Sequence, residues 1–265
     1  GVNRLLRHWL PDGLARETAL YWLNSTLFYA AELLAALAVW EEFGPLAAAF
    51  GFASVLLAPW LQRGMKDLYW CLWTWLLPLL AALWLCHCTR VRGKTPRGCW
   101  PLVAAACMVR CMCGFEFIST FLILCEAPLV YCWAGGDRRA WLRRMIYTGF
   151  AAVGGVAAAL GAWFIQGVIY FGSAAGSWQN LTGAVTSRVS LTDDMVSDVS
   201  VAQVLTRYFV EVDEPLLQFG PLTITLKPLI AVTLLGFALC LAVLALRKKP
   251  LAVLAGPALV WVLSL

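Results

Sequence analysis

From Arg110 to Tyr131 the chain carries an arginine and two glutamates, Glu116 and Glu126, inside almost unbroken hydrocarbon. A charge at the centre of a bilayer costs ~2.5 to 3.5 kcal/mol on insertion scales, so these side chains have to face protein, water or one another. The surrounding chain leaves little room for a water-soluble alternative. Of its 265 residues 62% are hydrophobic and only 13% are charged, whereas about a quarter are charged in an ordinary soluble protein. The expected fold is all-α: a polytopic transmembrane helix bundle with about seven to eight spans, an interfacial N-terminal segment and one long polar loop. Tryptophans at the ends of apolar runs, such as Trp22, Trp40, Trp60, Trp70 and Trp178, suit the headgroup level, where amphipathic rings settle.

The net charge of +5 lies in short clusters between apolar segments. Such clusters meet anionic lipid headgroups and argue against a nucleic-acid partner. Most of the ten cysteines lie within apolar runs, where a thiol behaves as a small hydrophobe. Cys86, His87 and Cys88, or Cys111 with Cys113, lack a second ligand pair at zinc-like spacing, so no metal is expected. His8 and His87 are the only histidines, which argues against bis-His haem ligation. No cofactor is expected. The chain starts at Gly rather than Met and ends within a hydrophobic run at Leu265, which reads as a fragment or a partly traced chain.

Taken in order, residues 1–19 mix Arg4, Arg7, His8, Asp12, Arg16 and Glu17 with Leu, Trp and Pro and suit a membrane surface. A bundle of spans follows over 20–172. Leu20–Trp40 holds Asn24 and Glu32, Leu46–Leu61 follows a Glu41-Glu42 turn, and Leu68–Cys86 contains Pro78. His87–Gly98 carries four cations and no acid, and Gly135–Arg144 carries four arginines against one aspartate, so both should be cytoplasmic. Cys99–Ala134 lies between them and would then form a hairpin turning near Cys113-Gly114, with Arg110 and Glu116 at its tip. Read as a single span it would put the 87–98 cations outside. Met145–Gly172 is rich in Gly and Ala, including Gly154, Gly155 and Gly161, and suits close helix packing. Residues 173–221 form an acidic extracytoplasmic loop, within which Val201, Val204, Leu205, Tyr208 and Val212 space as an amphipathic helix. Residues 222–265 hold the C-terminal spans, the first of them Leu222–Leu246.

The run Gly114-Phe115-Glu116-Phe117-Ile118-Ser119-Thr120, then Pro128-Leu129-Val130-Tyr131, a basic turn and a Gly-rich span ending Gln166–Gly172 resembles bacterial multispan glycosyltransferases of the GT-C type, which use lipid-linked sugars. The resemblance covers about residues 60–230, in spans and short words rather than in a catalytic signature. It implies a site on the extracytoplasmic face of the bacterial inner (cytoplasmic) membrane, where a polyprenyl-phosphate-linked sugar is transferred and an aspartate in the first outer loop acts as base. Asp12 is the residue of this chain that could fill that role. Arg188, Arg207, Arg110 and Glu116 are the candidate substrate-binding residues, with arginine as the planar fork that suits phosphate. A structural reading stands beside it, in which Arg110 and Glu116 only neutralise each other. Two other functions fit the composition: a non-catalytic transmembrane subunit of a larger complex, and a transporter using Glu32, Arg110, Glu116 and Glu126. Membrane lipids, a polyprenyl-phosphate sugar and other membrane subunits are the expected partners.

Overall fold

The computed structural model describes residues 13–65, 71–115, 118–189, 215–219 and 221–225, with scattered helical positions between 227 and 242. Eight helices and one strand pair lie among the described residues: α1 Gly13–Phe43, α2 Pro45–Leu57, α3 Pro59–Gly64, α4 Trp73–Arg92, α5 Cys99–Met112, α6 Ile118–Gly135, α7 Arg138–Phe171, α8 Ala174–Val189, β1 Pro215–Phe219 and β2 Leu222–Thr225. Four of them, α1, α4, α6 and α7, are long and apolar enough to cross a membrane, and α2 and α5 are shorter apolar helices. This is a helical membrane protein by the length and composition of those elements.

Proline and glycine set most of the boundaries. Pro45 and Pro59 open α2 and α3 at the position where a missing N–H leaves no bond unmade. Pro59 also bars Ala58 from the helical region, and Ala58 sits extended at φ −80 and ψ 107. The span expected over Leu46–Leu61 is therefore two helices. In contrast, α4 runs past the expected end at Cys86 to Arg92 and closes at Gly93, whose φ of 68 is left-handed. Arg90 and Arg92 thus sit in a helical last turn, where cations favour the helix dipole. The expected loop at 173–189 is helical, since α8 turns back at Gly172 (φ 68) and packs on the C-terminal part of α7. There Ser177 Oγ donates to the Phe164 carbonyl at 2.8 Å. The span expected from Leu222 begins as β2, antiparallel to β1 with Phe219 opposite Leu222. Residues 1–12, 190–214 and 243–265 lie outside the described residues.

The core is a four-helix bundle in which α4 and α7 each pack along both α5 and α6. Leu85 of α4, Val103 and Cys107 of α5, Phe121, Cys125 and Leu129 of α6 and Ala159 of α7 are wholly buried within it. In α7 the buried residues are Trp141, Thr148, Ala152, Gly155 and Ala159, a three-, four- and seven-residue spacing that puts them on one stripe. Lipid tails are as apolar as these side chains, so van der Waals contact at close range has to hold the helices together. α5 reverses into α6 at Cys113-Gly114, with Gly114 at φ 149. The thiol contact between Cys107, before that turn, and Cys125, after it, makes the pair antiparallel.

α1 lies outside the bundle against α4. Buried Asn24 donates from Nδ2 to the Met65 carbonyl at 2.6 Å, and Tyr29 Oη donates to Gln62 Oε1 at 3.0 Å. The intramembrane asparagine thus ties α1 to the end of α3. At the start of α7 the Asp137 carboxylate accepts from Arg139 N at 3.1 Å and Ala140 N at 3.2 Å, capping the helix. Asp137→Ala is expected to lower stability by ~1 kcal/mol, the usual effect of losing an exposed cap, with Asp137→Asn close to wild type. Detergent-induced unfolding followed by far-UV circular dichroism reads the difference.

Candidate functional site: a lipid-facing groove at the basic end

The C-termini of α1, α4 and α6 and the N-termini of α5 and α7 meet at one end of the bundle, and the cations gather there. Arg90 pairs with Glu42, and Glu42 Oε1 also accepts from Tyr131 Oη at 2.7 Å. Three helices are thereby joined by one carboxylate. The Arg90 guanidinium lies over the Tyr131 ring at 5.7 Å, and the Phe43 ring reaches the same tyrosine at 5.6 Å. Beside them His87 Nδ1 lies 3.2 Å from Glu41 Oε2, and the His87 ring stacks on Trp84 at 6.1 Å. Behind this cluster Arg144 Nε donates to Thr95 Oγ1 at 2.9 Å and its guanidinium covers Trp141 at 4.7 Å. Arg92, Lys94, Arg97, Arg138, Arg139 and Arg143 remain exposed around it. That array suits phosphate or an anionic lipid surface.

A groove of ≈ 580 Å³ opens from this end between α1, α4 and α5. Leu34, Leu37, Leu77, Leu80 and Val109 make its apolar walls, and Glu41, Trp84 and His87 form its polar mouth. From Leu77 to His87 the wall rises about 15 Å at 1.5 Å per residue, half of a ~30 Å hydrocarbon core. The groove therefore matches the depth of one leaflet. Ala105, exposed on α5, contributes to the lining. Small residues on α5 leave the groove open where a leucine would close it.

Of the five sequence-derived candidates, only Arg110 has its side chain among the described residues. Arg110 sits at the opposite end of the bundle, 2% exposed, with its guanidinium 4.8 Å from the Trp75 ring centre. Asp12, Glu116 and Arg207 lie outside the described residues, and Arg188 belongs to α8, with only its backbone described. Glu126, half-buried on α6, turns its Oε1 toward Gly149 of α7 and keeps Oε2 buried with no hydrogen-bond partner among the described residues. Sequence reasoning missed the mouth, reading Glu41-Glu42 as a turn and His87 as part of a basic loop. Its signal was present, because the hairpin reading of Cys99–Ala134 already puts those acids and that loop on the same side.

No protein-family model, no curated protein and no solved structure matches this chain.

Proposed function

We propose that this chain is a multi-pass membrane protein that holds a phosphate-headed lipid in the groove between α1, α4 and α5. The groove itself carries the reading: a one-leaflet apolar channel ends at a carboxylate, an imidazole and an indole face, ringed by exposed cations. Hydrocarbon lies along the leucines, phosphate meets the surrounding arginines and lysine, and hydroxyl groups next to the phosphate hydrogen-bond to Glu41 and His87. A polyprenyl-phosphate-linked sugar has all three parts, and it is the substrate implied by the resemblance to GT-C type glycosyltransferases. Transfer at the extracytoplasmic face, with Asp12 as base and Arg188, Arg207, Arg110 and Glu116 binding substrate, would take place at a second site away from the groove mouth and rests on that resemblance alone. By the positive-inside rule the groove mouth is cytoplasmic, and the resemblance implies a bacterial inner membrane.

Photo-crosslinking tests the lipid site. The chain in lipid nanodiscs is expected to crosslink a diazirine-bearing polyprenyl phosphate at α4 and α5. Ala105→Trp, which fills the groove from an exposed position, is expected to reduce that labelling at least fivefold while the helical signal is kept. Equal labelling in the Trp variant would remove the groove as the site. Equal competition by a polyprenol without phosphate would remove the headgroup assignment. In either case a non-catalytic membrane subunit becomes the better reading.

A further inference from the structure

The cysteines, read in sequence as small hydrophobes, do not scatter through the core. Four thiol–thiol contacts join different elements: Cys86 with Cys132, Cys107 with Cys125, Cys88 with Cys99, and Cys71 with Cys113. The first three pairs are made of buried residues. Apolar enclosure makes a thiol inert, because the reactive species is the thiolate. Cys71 and Cys113 differ from the rest, since both are only half-buried. They lie at the end of the bundle opposite the groove mouth, where the segment before α4 meets the turn between α5 and α6.

The surroundings of Cys113 are those of a reactive thiol. It receives a hydrogen bond from Cys71 and lies beside the Thr74 hydroxyl, and the Arg110 guanidinium lies close enough to stabilise negative charge on its sulfur. Together, with the Cys71 contact first and against some burial, these bring its pKa down to about 7. Thr74 is itself held in place, its hydroxyl bonded to the Cys71 carbonyl at 2.8 Å. The backbone of Cys71 stands at φ 44, in the left-handed region that side chains rarely adopt. A partly exposed, electropositive nucleophile with a second thiol already in contact is the arrangement of a nucleophilic and a resolving cysteine.

We propose that Cys71 and Cys113 form a redox-active dithiol that exchanges with disulfides at the non-basic end of the bundle. The Cys113 thiolate attacks one sulfur of a small disulfide, RSSR. The Cys113–SR bond forms, the RS–SR bond breaks, and the first RS⁻ leaves and takes up the proton that Cys113 released. Cys71 then gives up its proton and attacks the Cys113 sulfur, so that the Cys71–Cys113 bond forms and the second RS⁻ departs with that proton. The protein is oxidised by two electrons and RSSR is reduced to two thiols. A dithiol reductant reverses both steps. Closing the bond ties the segment before α4 to the hairpin turn, and opening it releases them.

The test uses the reduced full chain in lipid nanodiscs, glutathione disulfide as the oxidant, and peptide mass spectrometry after quenching with a maleimide. In the wild type, a peptide pair linked through Cys71 and Cys113 is expected to appear before any other disulfide. Cys71→Ser is expected to accumulate glutathione on Cys113, because the resolving thiol is gone. Cys113→Ser is expected to show neither product. At pH 7 Cys113 should also alkylate roughly tenfold faster than an ordinary thiol, and Arg110→Met should slow it. A wild type that retains glutathione on Cys113 without forming the internal bond overturns the proposal. So does a Cys113 that reacts no faster than the buried Cys111. The wild-type product decides the matter even if a serine variant fails to fold.

Discussion

Gly155→Val is expected to separate α5 from α7 and to abolish the folded bundle, whereas Gly154→Ala one residue earlier is expected to leave it intact. A Cβ at Gly155 would stand 2.2 Å from the Ala104 carbonyl oxygen and 3.0 Å from the Cys107 Cβ. The first obstacle is backbone, which cannot rotate aside as a side-chain end would, so the two helices have to move apart. Overpacking of this kind usually costs ~1–3 kcal/mol and sometimes more, and that range applies already to Gly155→Ala. Valine adds two methyl groups to the same collision. At Gly154 a Cβ meets nothing within 4 Å, and alanine there gains up to ~1 kcal/mol of helix propensity. Detergent titration of the three variants, followed by far-UV circular dichroism, gives the comparison. If Gly155→Ala and Gly154→Ala unfold together, the close approach of α5 and α7 is not what holds the bundle.

Arg110→Ala is expected to destabilise the bundle by about 3 kcal/mol, of which ~2 kcal/mol is the desolvated cation–π contact and the rest lost packing of the side-chain stem. Arg110 is 2% exposed, and its guanidinium sits 4.8 Å over the Trp75 ring. Arg110→Lys keeps the charge but loses the planar surface that stacks on the indole, and an intermediate loss is expected. Arg110→Met keeps most of the volume and removes the charge, so it separates packing from electrostatics. A methionine variant as stable as wild type would show that the charge serves something other than stability, and the slower alkylation of Cys113 in the same variant would show what. An alanine variant with unchanged stability would remove the Trp75 contact from the account of the fold.

Much of the helical plan is legible because it rests on local chemistry. The apolar runs give α1, α4, α6 and α7, and Cys113-Gly114 marks the reversal between α5 and α6. Pro45 and Gly93 mark ends that any chain with those residues would respect. The errors were local as well. Pro59 divides a run that hydropathy alone joins, since a proline restricts the residue before it. The basic segment after Cys86 stays helical to Arg92, because cations at a helix C-terminus are favoured and not merely tolerated. The strand pair at 215–225 was read as the end of a loop and the start of a span.

The candidate site was less legible because its parts are far apart in sequence. Glu42, Arg90 and Tyr131 come from three helices, and no spacing relates them. The same holds for the cysteines, whose pairing across α4, α5, α6 and the segments beside them has no signature in a single run of residues. Glu126 is one of the charges that the sequence requires to face protein, water or another charge, and its Oε2 is buried without a hydrogen-bond partner among the described residues.

By itself the sequence determined that this chain is helical and belongs in a membrane, where some of its helices end, and which end carries the cations. Those follow from the cost of charge in hydrocarbon and from the backbone limits of glycine and proline, both of which act within a few residues. Only the tertiary structure decided which of several glycines is the point of closest approach, which acid meets which base, and which two of the cysteines face each other in reach of solvent. Contacts of that kind depend on the rotation and offset of one helix against another, and side-chain shape sets these only when the whole bundle is packed.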